Sequence, residues 1–366
     1  MRNKKRDNWN WPILLNTTLF ILYLISATYS ANSNEILNKL ETTTSLFIVP
    51  IAFLCLSTNG SMSKKILRHE GLFKKTFIAS STLLAILIFI KSFDYGDYIN
   101  KKININQLSL NLDKGFYWLE DHPIYLSIYL SISMLLILTI IRDSTARAKL
   151  LLILSFLVQL FILFLMSKKG VIVAFIISFV GFLLSNKAVK RRNLLLVFAG
   201  LVLSIFIAAQ FMPDTLKRFK EVFDSKSYAK VESYSSTSIR YAVYNCSIKV
   251  IKASPFYGYG LGDVKEELNG CYEKTSSVLT EKNLNTHNQF LGISVATGII
   301  GLIVFLSSLF FIFYMFKKNN DLEALVIMSF LLLIMMTENI LDRQNGVICF
   351  AFFLNYYFFR NSIKLN

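Results

Sequence analysis

The sequence has few acidic residues, few histidines and few prolines, and these shortages exclude several functions. Its 366 residues include 23 Asp and Glu against 39 Lys and Arg, with three His, five Pro and four Cys. Three scattered histidines are too few for a zinc-ligand set. Pro50 is the only proline inside an apolar run, which argues against the broken helices of a transporter. Apolar residues, in contrast, are abundant. Hydrophobic residues make up 54% of the chain and the mean hydropathy is +0.49, which is too high for a soluble domain.

Ten apolar runs have the length of membrane-spanning helices, which need roughly 17 to 25 mainly apolar residues. The runs are continuous and do not alternate with polar residues, which excludes a wide β-barrel. They predict an all-α polytopic bundle of about 10 (10 to 12) transmembrane helices, the first of which we interpret as retained and not cleaved. The predicted spans are 12–30, 44–58, 76–92, 124–141, 148–166, 170–186, 193–212, 289–316, 322–337 and 346–359.

Basic residues set the predicted orientation, because Lys and Arg accumulate in cytoplasmic loops. They cluster at the amino terminus, in alternate loops and at the carboxyl end, where Arg360 and Lys364 lie, so both termini are expected in the cytoplasm. These clusters hold about half of the 39 basic residues, so the net charge of +16 does not indicate nucleic-acid binding. The chain then divides into amino-terminal transmembrane helices (1–212), a periplasmic segment (213–288) and carboxyl-terminal transmembrane helices (289–366).

The segment 213–288 is long enough to fold outside the membrane, and we expect a small helical cap. Its pattern predicts one helix from about Ser238 to Ala253, capped by Thr237 or Ser238, with Arg240 in the first turn. A cation there opposes the helix dipole unless an anion binds. A guanidinium beside a helix amino terminus is a good phosphate receptor. The alternative is a solvated surface arginine.

Two lysines and a histidine fall on the same predicted face. Lys168 and Lys169 occupy a short external connection, where basic residues are scarce, and they either bind an anion or anchor a helix end at the interface. His287 is expected on the first turn of a helix capped by Asn285 or Thr286. An imidazole at that position either exchanges a proton, hydrogen-bonds a sugar or phosphate oxygen, or is inert.

Other candidates on this face are accessory. Glu338 and Arg343 flank the last external turn, either as functional groups near the bilayer or as a mutual salt bridge. His122 also faces outside on this topology. Cys246 and Cys271 both fall in the cap, where an oxidising periplasm permits a disulfide.

Three elements in this order resemble the O-antigen ligase and O-antigen polymerase superfamily. They are the Arg-containing helix followed by SPFYGYGLGD, the stretch THNQFL, and Gly298 with Gly301 downstream. The family's earlier basic element, usually Ser-Arg followed by small residues at the start of a membrane helix, is matched by Ser167, Lys168, Lys169 and Gly170. YSANSNEILNKLETTTSLFIVPIAF, DHPIYLSIYL and TENILDRQNGVICFAFF are similar to segments of the branch found in Bacteroidetes-type bacteria.

The resemblance implies a helical bundle of the broad GT-C type, located in the bacterial inner membrane with its active site facing the periplasm. Such enzymes transfer a glycan from undecaprenyl diphosphate to an acceptor hydroxyl. A ligase, our leading hypothesis, uses a sugar of the lipid A core, whereas a polymerase, the alternative, uses another lipid-linked repeat unit. A transporter is the distant alternative. The expected partners are the lipid-linked donor, the lipid A-core acceptor and membrane lipids, and not nucleic acid.

The resemblance also assigns roles. Arg240 and Lys168, with Lys169 as the fallback, would bind the diphosphate and stabilise the charge that develops on it. Lysine keeps the charge of the family's arginine but loses its planar fork. His287 would position or deprotonate the acceptor hydroxyl, or bind the leaving diphosphate. No cofactor and no metal is expected, since the external carboxylates show no D-x-D spacing.

Overall fold

The computed structural model describes residues 11–92, 122–186, 221–282 and 284–364, and within these ranges the regular structure is helical, with no strand. The chain forms two compact units. Unit 1 consists of Met1–Arg68 with Ser225–Asn366, and unit 2 consists of His69–Asp224. The predicted boundaries at residues 212 and 288 divide the chain by the side of the membrane on which each part lies, whereas these two units are divided by compactness. The predicted division therefore stays a prediction.

In the part of the chain that the structure describes, 3-10 segments accompany the α-helices at Trp11–Thr17, Ser225–Tyr228 and Ile340–Asp342. The α-helices are α1 (Thr18–Ala27), α2 (Ser33–Thr43), α3 (Ser45–Thr58), α4 (Gly60–Arg68), α5 (Glu70–Ser92), α6 (Pro123–Ile140), α7 (Ala146–Leu165), α8 (Lys169–Ser185), α9 (Ser236–Ala253), α10 (Val264–Glu273), α11 (Ser277–Glu281), α12 (Gln289–Lys318), α13 (Leu322–Met335) and α14 (Gln344–Lys364).

Among the described residues, five helical stretches are long and apolar enough to cross a membrane, judged by length and composition; they are Ser33–Thr58, Glu70–Ile90, Pro123–Ile140, Ala146–Leu165 and Gln289–Lys318. Shorter apolar helices cover Pro12–Ala27, Lys169–Ser185 and Leu322–Met335. The predicted spans that fall on described residues are helical over most of their lengths, and the predicted span 193–212 lies outside those residues. The total of about ten spans stays a prediction.

Helix α12 is interrupted at Gly298, which has φ 66° and ψ −174°. A break of this kind leaves backbone groups on either side without helical partners, and buried backbone groups must be paired. The loop that follows α9 pairs them. The N–H of Tyr259 donates to the carbonyl of Val295 at 2.9 Å, and the N–H of Ile299 donates to the carbonyl of Pro255 at 2.8 Å. The loop SPFYGYGLGD therefore replaces part of the hydrogen-bond ladder of α12.

Gly298→Ala is expected to destabilise unit 1. A Cβ at this position would lie 2.1 Å from the carbonyl oxygen of Phe256, and the backbone conformation belongs to a region that glycine alone adopts without strain. We expect a loss of about 1 to 3 kcal/mol in the free energy of unfolding, measured as a lower Tm of the purified protein in detergent. Gly181→Ala is the control, because nothing lies within 4 Å of its added Cβ. Equal Tm values for the two variants would contradict the expectation.

Unit 2 is a helical bundle with its own apolar core. Residues of α5, α6 and α7 meet in one buried cluster, which contains Ala85, Ile88, Leu126, Leu130, Ile162, Leu165 and Met166. A hydrogen bond also joins α5 and α7, since Gln159 Nε2 donates to Thr82 Oγ1 at 2.7 Å. This packing places the amino terminus of α8, which carries Lys168 and Lys169, at the end of α7.

The carboxyl-terminal helix of unit 1 carries a buried ion cluster. The Arg360 side chain is 3% exposed; its Nε donates to Asp321 Oδ2 at 3.2 Å and its Nη1 to Glu323 Oε1 at 3.1 Å. Asn361 also donates to Asp321, at 2.7 Å, and the guanidinium lies 4.7 Å from the ring centre of Tyr357. Asp321 is in addition the N-cap residue of α13. Arg360 is therefore paired with two carboxylates. The orientation prediction had included Arg360 among the basic residues expected in the cytoplasm.

Candidate active site

Helix α9 begins two residues earlier than predicted. Its first residue is Ser236, and its N-cap is Ser235, whose Oγ accepts from the backbone N–H of Ser238 at 3.3 Å. The predicted cap at Thr237 or Ser238 is therefore wrong, because several adjacent hydroxyl residues could each serve as a cap and local pattern does not choose among them. Arg240 consequently lies in the second turn, where the helix dipole acts more weakly than in the first.

The apolar face of α9 is buried, as its pattern predicts. The stripe residues Ile239, Val243, Cys246 and Val250 are all less than 10% exposed. Cys246 and Cys271 of α10 form a disulfide, with their Cα atoms 5.7 Å apart. The core is completed by the buried residues Leu268, Tyr272, Leu279 and Val295. With this face packed, the half-buried side chains of Arg240 and Tyr244 lie on another side of α9.

A single carboxylate lies between Arg240 and His287. Arg240 Nη2 pairs with Glu338 Oε1, and Glu338 Oε2 lies 3.5 Å from His287 Nδ1. These side chains are 27%, 18% and 24% exposed for Arg240, Glu338 and His287 respectively. The buried Nδ1 has no hydrogen-bond partner among the described residues, and at 3.5 Å its contact with Glu338 is close but is not a hydrogen bond. The structure thus brings a guanidinium, a carboxylate and an imidazole together near the amino terminus of α12, within unit 1.

His287 does not lie on the helix where the sequence predicts it. Helix α12 begins at Gln289, and Asn288 caps it by accepting from two backbone N–H groups, at 3.0 and 3.1 Å. The predicted caps Asn285 and Thr286 are therefore wrong. The error has a simple cause. Asn285, Thr286 and Asn288 all have side chains that can cap a helix, and local pattern does not choose among them.

The backbone of His287 has φ 46°, an uncommon conformation for a residue other than glycine. Two side chains hold it there. Asn285 Oδ1 accepts from the His287 N–H at 3.1 Å, and the Tyr244 hydroxyl donates to the His287 carbonyl at 3.1 Å. Strained conformations persist where the surroundings over-determine them, and they cluster at functional sites. The turn fixes the imidazole next to Glu338.

Tyr244 is the site residue that the sequence analysis missed. It lies four residues after Arg240, hence on the same face of α9, and this spacing was the available signal. Burial raises the pKa of Tyr244, although the charge of Arg240 acts in the opposite direction. The hydroxyl therefore stays protonated at neutral pH and remains a donor to the carbonyl of His287.

A comparison with protein-family models matches residues 150–306 to the O-antigen ligase family. The match covers 157 of the 366 residues and supports the O-antigen ligase superfamily for this part of the chain. The matched range contains Arg240 and His287, whereas Glu338 lies beyond it. A comparison with curated proteins gave no match. Together with the apolar helices, the family match indicates a multi-pass membrane protein with a function of the ligase or polymerase type.

The matched range also contains Lys168 and Lys169, which lie at the amino terminus of α8 in unit 2. Lys168 is the N-cap residue and makes no side-chain capping bond, and it follows Ser167, which has φ 52°. Lys169 Nζ lies 3.6 Å from Glu221 Oε2. Cations at this end of a helix oppose its dipole by about 0.3 to 1 kcal/mol each unless an anion is near. The dipole argument that the sequence suggested for Arg240 thus applies to these lysines.

The remaining candidates have local roles in the structure. His122 is the N-cap of α6, where its Nδ1 accepts from the backbone N–H of Ile124 at 3.3 Å. Arg343 is exposed, and Glu338 pairs with Arg240 and not with it, so the predicted alternative of a Glu338–Arg343 bridge is wrong. Within the described ranges, no group of three or more His, Cys, Asp or Glu is placed to hold a metal ion.

Proposed function

We propose that the protein is a ligase that transfers a glycan from undecaprenyl diphosphate to a sugar hydroxyl of the lipid A core. The reaction would take place at the periplasmic face of the inner membrane, without a metal. One observation carries the proposal: within a chain whose residues 150–306 match the O-antigen ligase family, one carboxylate, that of Glu338, contacts both a guanidinium and an imidazole.

The proposed reaction is a direct displacement. The acceptor oxygen attacks the anomeric carbon, the bond from that carbon to the phosphate oxygen breaks, and its electron pair stays on the diphosphate. Arg240 stabilises the charge that develops there, and a preorganised cation stabilises the transition state more than the ground state. Lys168, with Lys169 as the fallback, is proposed as a further diphosphate ligand. Attack from the opposite face inverts the anomeric centre.

His287 would remove the proton of the acceptor hydroxyl. A carboxylate beside Nδ1 favours the tautomer that carries its proton on that nitrogen, which leaves Nε2 as the base. Glu338 lies 3.5 Å from Nδ1 and is placed to favour this tautomer. Glu338 also holds Arg240, so it acts as a positioning residue for both the cation and the base.

The break in α12 does not favour the transporter alternative. Unwound segments of transporters bind ions through free backbone groups. In this chain the groups beside Gly298 bond to the loop after α9, as in the pair of Ile299 with Pro255 at 2.8 Å. These backbone groups already have protein partners and are therefore not free to bind an ion.

The function is tested with purified protein, a lipid-diphosphate-linked glycan and two acceptors, a lipid A core and a second lipid-linked repeat unit. The ligase proposal predicts product on the core, with the same yield in the presence of a chelator. Product on the repeat unit alone would identify a polymerase. Gene deletion gives an independent result, because loss of a ligase leaves long lipid-linked polymer, whereas loss of a polymerase leaves single repeats on the core.

Lys168→Ala is expected to reduce the transfer rate more than Lys169→Ala. Lys168 directly follows Ser167 and so matches the arginine of the family's Ser-Arg element, whereas Lys169 lies one residue further on. The measurement is the initial rate of product formation, with the exposed Lys149→Ala as control. The reverse ranking would mean that the match to the family's basic element is displaced by one residue.

A further inference from the structure

A cavity of about 220 Å³ lies in unit 1 next to the residues of the candidate active site. Its volume corresponds to about seven waters at roughly 30 Å³ each, which suits one small ring and not a whole repeat unit. Its floor is apolar, with Leu261, Leu268 and Leu341 no more than 6% exposed. Polar and charged side chains line much of the rest, together with Val264, Leu284 and Ala296. An apolar floor with a few polar groups is the usual construction of a small-ligand site.

Two short segments separate this cavity from the candidate active site. Asn285 and Asn339 line the cavity, while their neighbours His287 and Glu338 meet on the other side. Asn285 connects the two sides directly, because its Oδ1 accepts from the His287 N–H and its Nδ2 donates to Asp342 Oδ2, both at 3.1 Å. Two residues span about 7 Å of chain at most. A ligand in the cavity would therefore lie about one sugar ring from His287.

The charges at the cavity are balanced. Lys39 pairs with Asp342 at 3.1 Å, and Lys265 pairs with Glu35 at 3.4 Å. Two cations and two carboxylates leave no net charge to attract a diphosphate, in contrast to the side that holds Arg240. A sugar hydroxyl both donates and accepts, so it can bond a carboxylate and an ammonium group at once. The lining thus matches an uncharged, hydroxyl-rich ring.

We infer that this cavity binds one uncharged sugar ring of the donor glycan or of the acceptor, and holds the adjoining ring at His287. The inference rests on the proposed function and extends it by a recognition site that lies apart from the diphosphate. Donor and acceptor offer the same chemistry to the cavity, so the experiment separates these two sources.

Binding is tested directly by saturation-transfer NMR on the purified full-length protein, with glucose, galactose, rhamnose and N-acetylglucosamine as probes. At least one neutral sugar is expected to bind in the millimolar range, and more tightly than glucose 6-phosphate. Val264→Trp, which fills the cavity rim, should weaken that binding about tenfold or more. Ile248→Trp, on the exposed side of α9, is the control. Absence of binding, equal binding by Val264→Trp, or preference for the phosphate would overturn the inference.

Kinetics then identify the source of the ring. Lys265→Ala should raise KM with little change in kcat, since it removes binding that ground state and transition state share. A rise in the donor KM assigns the ring to the donor, and a rise in the acceptor KM assigns it to the acceptor. Unchanged values for both, as expected of the exposed control Lys274→Ala, would overturn the inference. Arg240→Ala should still bind the neutral sugar, because Arg240 does not line the cavity. Loss of transfer with sugar binding intact would then count against the proposed reaction and not against the cavity.

Discussion

Replacing either Arg240 or His287 with alanine should abolish glycan transfer and leave membrane insertion intact. We expect each change to lower the rate by at least about 10²- to 10³-fold, the usual effect of removing one preorganised group that stabilises transition-state charge. Arg240→Ala removes the cation proposed to face the leaving diphosphate, and His287→Ala removes the base. The measurement is product formed per mole of purified protein, with the amount in the membrane fraction as the check on insertion.

Graded variants separate this chemistry from a loss of structure. Arg240→Lys keeps the charge but loses the two-pronged geometry, so it should retain part of the activity. Glu338→Gln should fall between wild type and Arg240→Ala, because it keeps the shape but weakens the hold on both partners. Lys252→Ala, an exposed cation in the last turn of α9, should have no effect. Wild-type product from Arg240→Ala or His287→Ala would remove that residue from the site.

Arg360→Ala should cause the largest loss of stability, about 3 to 5 kcal/mol. Removing one partner of a buried ion pair leaves an uncompensated charge, and that is the usual cost. Here two carboxylates, Asp321 and Glu323, would lose their counter-ion while their side chains are only 7% and 10% exposed. The expected result is a much lower Tm in detergent, with normal chemistry in any protein that remains folded.

The explanation by unpaired charge has its own test. Neutralising the carboxylates together with the arginine, in Arg360→Met with Asp321→Asn and Glu323→Gln, should lower the Tm less than Arg360→Ala does alone. Lys317→Ala is the control for loss of an exposed cation. If the triple variant is less stable than Arg360→Ala, then packing and hydrogen bonds of the cluster matter more than its charge balance.

Periodicity and composition were sufficient to predict most of the apolar helices and the buried face of α9, whereas the short helices α2 and α4 lie between the predicted spans. The stripe of α9 from Ile239 to Val250 is buried, because an apolar face must pack wherever the helix lies. Helix ends were predicted less well. Runs of residues that can all serve as caps, such as Ser235 to Ser238, leave the starting residue to be decided by tertiary contacts.

The geometry of the site could not be read from local pattern. Glu338 was a candidate, and one of its two predicted alternatives paired it with Arg343, five residues away, whereas its partner in the structure is Arg240, 98 residues away. The turn at His287 depends on side chains from α9 and from its own segment, so no property of THNQFL alone predicts a positive φ there. Such features depend on contacts between residues that are distant in the chain, and a single sequence does not reveal those contacts.

The loop seated in the break of α12 constrains how the chain can be re-engineered. Its hydrogen bonds have a fixed register, in which Pro255 and Tyr259 each meet one particular partner near Gly298. Inserting or deleting a residue between Pro255 and Tyr259 would shift that register and orphan buried backbone groups on both segments. A chimera that exchanges the α9–α10 region with another protein must therefore carry the first turns of α12 along with it.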